Sequence, residues 1–355
     1  MRKLLLLPLA LLIVTFTTMC DNNKEVPTEY CQELVKMAEE GNPEAQYNLG
    51  TAYLKGNGLD SIDVKEGIKW IQKSADQDYP KALGRIGETY KGGYFGYPQD
   101  FQKALEYFKK GVALNDADSQ VGLGDMFLQG QGVKQDSNEA LKLFSQAAEQ
   151  DNEYAYSRLG LMYLNGWGVK QDYDEAKKWV MKGVEKGNDG AEYMLGIMYE
   201  EGLGVPQDEK KAFEYYKKGA EHNNAYAQLN LYFCYGGGKG VEPDIETAVK
   251  WLNEAVGNGN AEAFFIRGNF FMDGGKVQHA VLDYKDATTL GHTGAFEALN
   301  KLANKGNTRA MVALGDLYLD GKGVAQDSVA SYKWYKKAAD LYDSDALIAL
   351  SKFRK

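Results

Sequence analysis

In the stretch AYSRLGLMYLNG (155–166), apolar side chains stand at Ala155, Leu159, Met162 and Tyr163 among polar neighbours. That spacing puts them on one face of an α-helix, and the Gly that follows suits a C-cap with positive φ. The stretch DEAKKWVMKGVEKGN (174–188) has the same periodicity at Ala176, Trp179, Val180 and Val184, and it stops at Gly187-Asn188. It predicts a second helix. Between the two lies LNGWGVKQD (164–172). Here Val169 is expected to point inward from a loop, and Asp172, three residues ahead of Glu175, to open the second helix as a capping box. Asp63/Glu66 and Asp136/Glu139 have the same spacing.

The joint returns as LQGQGVKQD at 128–136, EEGLGVPQD at 200–208 and LDGKGVAQD at 319–327. Gly132, Gly168, Gly204 and Gly240 are each 36 residues apart. A Leu-Gly pair upstream keeps the same beat at Gly124, Gly160 and Gly196, and the frame runs on through Tyr232 and Gly268. Units at Gly50 and Gly87 are spaced 37 because each has one extra loop residue, and the last clear unit centres on Gly315, 47 after Gly268. A Gly-x-Gly before a basic residue resembles a phosphate loop, and the trailing Asp a ligand or acid. A chain needs such a site once but a structural joint in every unit, so the joint is read as helix–loop–helix, with Gly supplying backbone freedom and Asp the cap. Small residues, the Gly of each Leu-Gly pair and the Ala pairs 147–148 and 338–339, leave room for neighbouring helices. One helix pair cannot bury its own apolar face, whereas stacked pairs can.

The pattern Ala-x-x-x-Leu-Gly-x-x-Tyr-x-x-Gly-x-Gly-Val-x-x-Asp-x-x-x-Ala-x-x-Trp/Tyr-x-x-x-Ala-Ala resembles the Sel-one-like repeat, a relative of the tetratricopeptide repeat with a longer inter-helix loop. The likeness runs from about residue 29 to the C-terminus and is strongest over 116–151, 152–187, 188–223 and 307–342. It implies an all-α, right-handed α-α superhelix of about eight 36-residue helix–loop–helix repeats. The expected layout is a signal peptide at 1–19, a lipidated tether at 20–28 and an N-terminal half-repeat helix at 29–41. Six repeats at 42–259, a degenerate region at 260–306, a final repeat at 307–342 and a capping helix at 343–355 complete it. In the degenerate region the joint shrinks to GGKV, and AFEALNKLANKGN reads as an extra or truncated helix. Members of the family are mostly non-enzymatic scaffolds that bind proteins on a concave face, so the resemblance implies a protein or peptide partner.

MRKLLLLPLALLIVTFTTMC begins with Arg2-Lys3 and continues as an apolar run too short and too early for a mature spanning helix, which predicts a secretory leader. Cys20 stands where the first residue of a bacterial lipoprotein would be, although Met19 occupies the place a lipobox gives to a small residue. The expected location is therefore the cell membrane or outer membrane, on a periplasmic or surface face, through a lipid on Cys20. Lipidation would also account for the odd cysteine among three, leaving Cys31 and Cys234 as buried thiols too far apart along an elongated array to bridge. The formal net charge of −9 becomes −11 once Arg2 and Lys3 leave with the leader, which argues against a nucleic-acid partner.

Catalytic patterns are missing from the sequence. It contains no Gly-x-Ser-x-Gly, Ser-x-x-Lys, His-Glu-x-x-His or Cys-x-x-Cys, and GGGKG at 236–240 occupies the ordinary joint. His222, His279 and His292 have no metal-ligand spacing. No catalytic residue, metal or cofactor is expected. The alternative reading, an envelope enzyme or binder acting on peptidoglycan, another glycan or a β-lactam, lacks a nucleophile motif.

Function is then expected on side chains the repeat leaves free. Residues two before and one after the Leu-Gly glycine are predicted to face the inner curve. In the early units these are polar or small: Asn48/Thr51, Arg85/Glu88 and Gly122/Asp125. An apolar stripe follows at Leu161, Met194, Ile197, Phe233 and Ile266, suited either to a partner's helix or peptide or to packing between neighbouring helices. Loop aromatics Tyr94, Phe95, Tyr97 and Trp167 are a second candidate set, for a protein or a glycan.

Overall fold

The computed structural model describes residues 28–56 and 62–353. The expected leader, Cys20 and the tether up to Pro27 lie outside the described residues, as does the side chain of Cys31. Every element among the described residues is an α-helix: α1 (Thr28–Glu39), α2 (Pro43–Lys55), α3 (Val64–Ala75), α4 (Pro80–Gly92), α5 (Phe101–Ala113), α6 (Ala117–Gln129), α7 (Ser137–Glu149), α8 (Glu153–Asn165), α9 (Tyr173–Glu185), α10 (Asp189–Glu201), α11 (Glu209–Glu221), α12 (Ala225–Gly237), α13 (Ile245–Gly257), α14 (Ala261–Asp273), α15 (Val277–Thr289), α16 (Thr293–Asn304), α17 (Thr308–Asp320), α18 (Ser328–Ala339) and α19 (Ser344–Lys352). They fall into two compact units, one up to Lys182 and one from Gly183 onward.

In the first unit α2 packs on α3, α4 on α5 and α6 on α7, and each pair packs in turn on the helix that follows it. The joint explains the pairing. The first helix of a pair ends on a left-handed glycine, as at Gly130 (φ +68°) and Gly166 (φ +70°). The second joint glycine has a separate duty. Gly168, at φ +68°, lies so close to α7 that a Cβ there would sit 2.6 Å from the Ser137 carbonyl oxygen. Only a residue without a side chain lets the loop rest on the start of the preceding second helix.

Asp opens the second helix, as its position predicts: Asp136 Oδ1 accepts from the Asn138 and Glu139 backbone N–H groups at 3.0 and 3.1 Å, and Asp172 from Glu175 at 3.0 Å. The reciprocal half of the capping box is absent at these helices. Glu66, Glu139 and Glu175 instead pair with Lys69, Lys142 and Lys178 one turn on. The reason is that the Asp N–H is already taken: Asp136 N donates to the Phe127 carbonyl and Asp172 N to that of Tyr163, so the Glu has no orphan donor to reach. The residue before the Asp has a role of its own. Gln135 Nε2 donates to the Leu128 carbonyl at 2.8 Å and Gln171 to that of Leu164 at 2.7 Å, closing the first helix while Asp opens the second.

Helices approach through a matched pair of sizes. Where the first helix has the repeat's glycine, preceded by Leu in most units and by Ile86 at Gly87, the second has a large side chain against it: Ile71 at Gly50, Phe108 at Gly87, Phe144 at Gly124 and Val180 at Gly160. The second unit repeats this with Tyr216 at Gly196, Tyr284 at Gly268 and Tyr335 at Gly315. Where Tyr232 replaces the glycine, Leu252 stands in the second helix and the pair belongs to one apolar cluster. Size is exchanged between the two positions, and the interior stays close-packed.

The second unit contains the irregular region. α14 and α15 meet through Gly274-Gly275-Lys276, and α15 starts without a side-chain cap. Arg267 of α14 instead grips Asp283 of α15 with two hydrogen bonds of 2.8 Å, the carboxylate being buried. The expected extra helix is α16, which packs between α15 and α17, while α15 also touches α17 directly. α17 and α18 then restore the regular pair. Cys234 is a free, buried thiol.

Candidate partner-binding surface

The first helices bury their Ala, Leu and Gly positions and leave part of the other flank accessible, as at Lys81 and Arg85 of α4, Asp118 of α6 and Tyr154 of α8. In the first unit this flank is polar. α2, α4, α6 and α8 together line a groove of about 390 Å³ with Tyr47, Lys81, Arg85, Glu88, Lys91, Asp118, Val121, Asp125, Tyr154 and Arg158 among its walls. Asp125 anchors it. Its carboxylate accepts from Arg158 Nε at 2.6 Å and Arg158 Nη2 at 3.1 Å, with Lys91 Nζ 3.6 Å away. Lys91 also pairs with Glu88 at 2.7 Å. Arg158 and Asp125 are 33 residues apart, so the bridge ties one repeat to the next. Asp118 accepts from Asn152 Nδ2 at 2.7 Å. Burial pushes the Tyr47 hydroxyl above its usual pKa, helped by the Asp118 carboxylate and opposed by the Arg85 guanidinium.

The apolar candidates are spread over both units. Leu161, in the first, is half-buried. In the second, Met194 is only 8% exposed and belongs to the interior, and Ile197 and Ile266 are half-buried against apolar clusters. Phe233 is different, at 46% exposed. Its ring lies 5.0 Å from Tyr232, which in turn meets Phe270 edge-on at 6.5 Å. Phe270 is 49% exposed, so α12 and α14 present an aromatic patch in which sequence reasoning had placed Phe233 and Ile266 but not Phe270.

The loop aromatics also divide. Tyr97 is tucked edge-on against Tyr90 at 5.3 Å as part of the packing around α3 and α4. Tyr94 and Phe95 are 55% and 40% exposed, with rings 6.2 Å apart and Phe95 at φ +58°. The Arg85 guanidinium is 5.8 Å from the Phe95 ring, which brings this loop to the edge of the charged groove. Trp167 is exposed. No group of three or more His, Cys, Asp or Glu side chains able to hold a metal ion occurs among the described residues.

The comparisons with known proteins agree with this architecture. The model of the Sel1 repeat, the Sel-one-like repeat named above, matches residues 43–79, 80–116, 117–152, 153–188, 190–224, 225–260 and 308–343. A solved Sel1 repeat protein from Oxalobacter formigenes is 29% identical over 66% of this chain and 97% of its own, with a TM-score of 0.54. The solved structure of c5321, described as a protective antigen present in uropathogenic Escherichia coli strains, is 28% identical over 91% of this chain and 82% of its own, with a TM-score of 0.47. An uncharacterized protein of Neisseria meningitidis serogroup B is 29% identical over 96 residues, which are 27% of this chain and 19% of that protein, so the match spans about a fifth of that relative. With seven matched repeats covering more than half of its residues, the chain belongs to the Sel1 repeat family.

Proposed function

We propose that this chain is an exported, lipid-anchored scaffold that holds another protein of the cell envelope against the accessible flank of its first helices. The observation that carries the reading is the aromatic patch of Tyr232, Phe233 and Phe270, where two large apolar rings stand nearly half exposed on neighbouring repeats. Apolar rings held in place by packed helices lose little entropy on binding and suit the apolar face of a partner helix. The leader-like MRKLLLLPLALLIVTFTTMC supports export and attachment through Cys20.

The test is crosslinking capture from intact cells with the full chain and with a Phe233→Asp/Phe270→Asp variant confirmed helical by circular dichroism. Both side chains are exposed, so the fold is expected to survive. Loss of one specific protein from the variant supports the site, and an unchanged set of captured proteins rejects it. Attachment is read separately: Cys20→Ala is expected to move the protein from the membrane to the soluble fraction, and an unmoved protein refutes the anchor.

A further inference from the structure

We propose that the charged groove of the first unit is a second docking site, one that takes an extended acidic segment of a partner protein with carboxylates at alternate positions. The inference rests on the scaffold reading only in treating the accessible flanks of the first helices as binding surface. Its chemistry differs from that of the aromatic patch.

The walls have unequal charge. Lys81, Arg85, Lys91 and Arg158 face Glu88, Asp118 and Asp125, an excess of cations in a chain whose formal net charge is −9. Two of these cations are committed, because Arg158 and Lys91 converge on Asp125, whose side chain is only 7% exposed, and Lys91 also serves Glu88. Among the described residues neither Lys81 nor Arg85 has a carboxylate at ion-pair distance, and both are exposed. The Asp125 cluster thus makes a stiff, nearly neutral floor, and Lys81 and Arg85 supply the attraction at its rim.

Geometry narrows the occupant further. Lys81 and Arg85 are four residues apart on α4, one helical turn, which separates their Cβ atoms by about 5–6 Å. An extended chain advances about 3.3 Å per residue, so side chains at alternate positions recur at about 6.6 Å on one face, a step that the long Lys and Arg side chains can span. Tyr47 on α2 and Tyr154 on α8 flank the groove with aromatic surface against which an extended backbone can lie. An apolar occupant would cover the two cations Lys81 and Arg85 with only the Asp118 carboxylate in the groove wall to answer them, which is unfavourable, whereas an occupant's carboxylate offsets that cost.

The probe is a short fluorescein-labelled peptide with Glu at alternate positions, titrated with the full chain by fluorescence anisotropy at low and at physiological salt. A matched peptide with Gln in place of Glu is the control. The expected result is binding of the Glu peptide alone, weakened by salt. Lys81→Glu/Arg85→Glu is expected to weaken it about tenfold or more, equivalent to about 1.4 kcal/mol. Lys81→Gln/Arg85→Gln, which introduces no repulsion, is expected to weaken it in the same direction. Equal binding of the Gln peptide, no binding of the Glu peptide, or indifference to both double variants overturns the proposal. Phe233→Asp/Phe270→Asp is expected to leave this titration unchanged. A failed peptide titration alongside an intact effect of those Phe substitutions on partner capture would therefore remove the groove and leave the scaffold reading standing.

Discussion

If helix pairs in this array are held together by exchange of size between the Leu-Gly glycine and the residue opposite, the two positions must be energetically coupled. Gly124 and Phe144 offer the cleanest case, since Phe144 is fully buried and its ring makes no hydrogen bond. A Cβ added at Gly124 would lie 2.5 Å from Phe144 Cε1, 2.9 Å from Cδ1 and 3.0 Å from Cζ. Carbon atoms prefer about 3.5–4.0 Å, so either the ring or the helix must retreat by about 1 Å. Such overpacking costs about 1–3 kcal/mol, while Ala in place of a mid-helix Gly returns about 1 kcal/mol of helix propensity. Gly124→Ala is therefore expected to destabilise by up to about 2 kcal/mol. Phe144→Leu leaves a void and is expected to cost about 1–2 kcal/mol. In the double variant the shorter Leu gives the new methyl room, as Leu252 accompanies Tyr232 in the natural chain. The double is then expected to be more stable than the sum of the singles by about 1 kcal/mol or more. Repeat arrays need not open in one step, so the readout is native-state hydrogen exchange of the α6 and α7 amides, with urea unfolding followed by circular dichroism alongside. Single and double effects that add to within about 0.5 kcal/mol would refute the size-exchange reasoning.

The joint and the buried thiol give two further predictions. Gly168→Ala places a side chain at φ +68° and a methyl 2.6 Å from the Ser137 carbonyl oxygen, so it is expected to destabilise by at least about 1–2 kcal/mol in thermal unfolding. Lys170→Ala in the same loop, by contrast, should stay within about 0.5 kcal/mol, and a stable Gly168→Ala protein would contradict the structural account of the joint. Burial, with the Glu200 carboxylate adding to it, pushes the Cys234 thiol up to about 12 from its ordinary value near 9. In a variant that keeps Cys234 as its sole thiol, a thiol reagent at pH 8 is expected to react only after urea unfolding. Because the raised pKa favours the protonated folded form, this contribution to stability is complete below pH 9 and declines as pH rises toward about 12. Rapid labelling of the native protein, or no difference in alkaline stability from Cys234→Ala, would oppose it.

What could be read from the sequence follows the distance over which each feature is determined. Helix ends, the left-handed glycines and the Asp caps depend on a few adjacent residues, and repetition shows them several times, so they were legible. The Glu of Asp-x-x-Glu was misread because its fate depends on whether the Asp N–H is free, and that is settled by the carbonyls of Phe127 and Tyr163 in the preceding helix. A Gln before the Asp recurs in the same column at Gln99, Gln135, Gln171, Gln207 and Gln326, yet its role needed the loop to fold back to the end of the first helix. Phe270 marks a deeper limit. It occupies the column of Met126, Met162 and Met198, all fully buried, but lies in the repeat whose joint is shortened and whose second helix starts uncapped. Burial belongs to the way two helices meet, and a column of residue types does not carry it. The Arg158–Asp125 bridge is intermediate: Asp125 follows one Leu-Gly glycine and Arg158 precedes the next by two, so pairing those columns across successive repeats would have found it. Phe233 and Ile266 occupy the same two columns in the second unit, where they add apolar surface instead of an ion pair. The shared columns set the scaffold, and this one column pair is filled differently from repeat to repeat, by an ion pair in the first unit and by apolar side chains in the second.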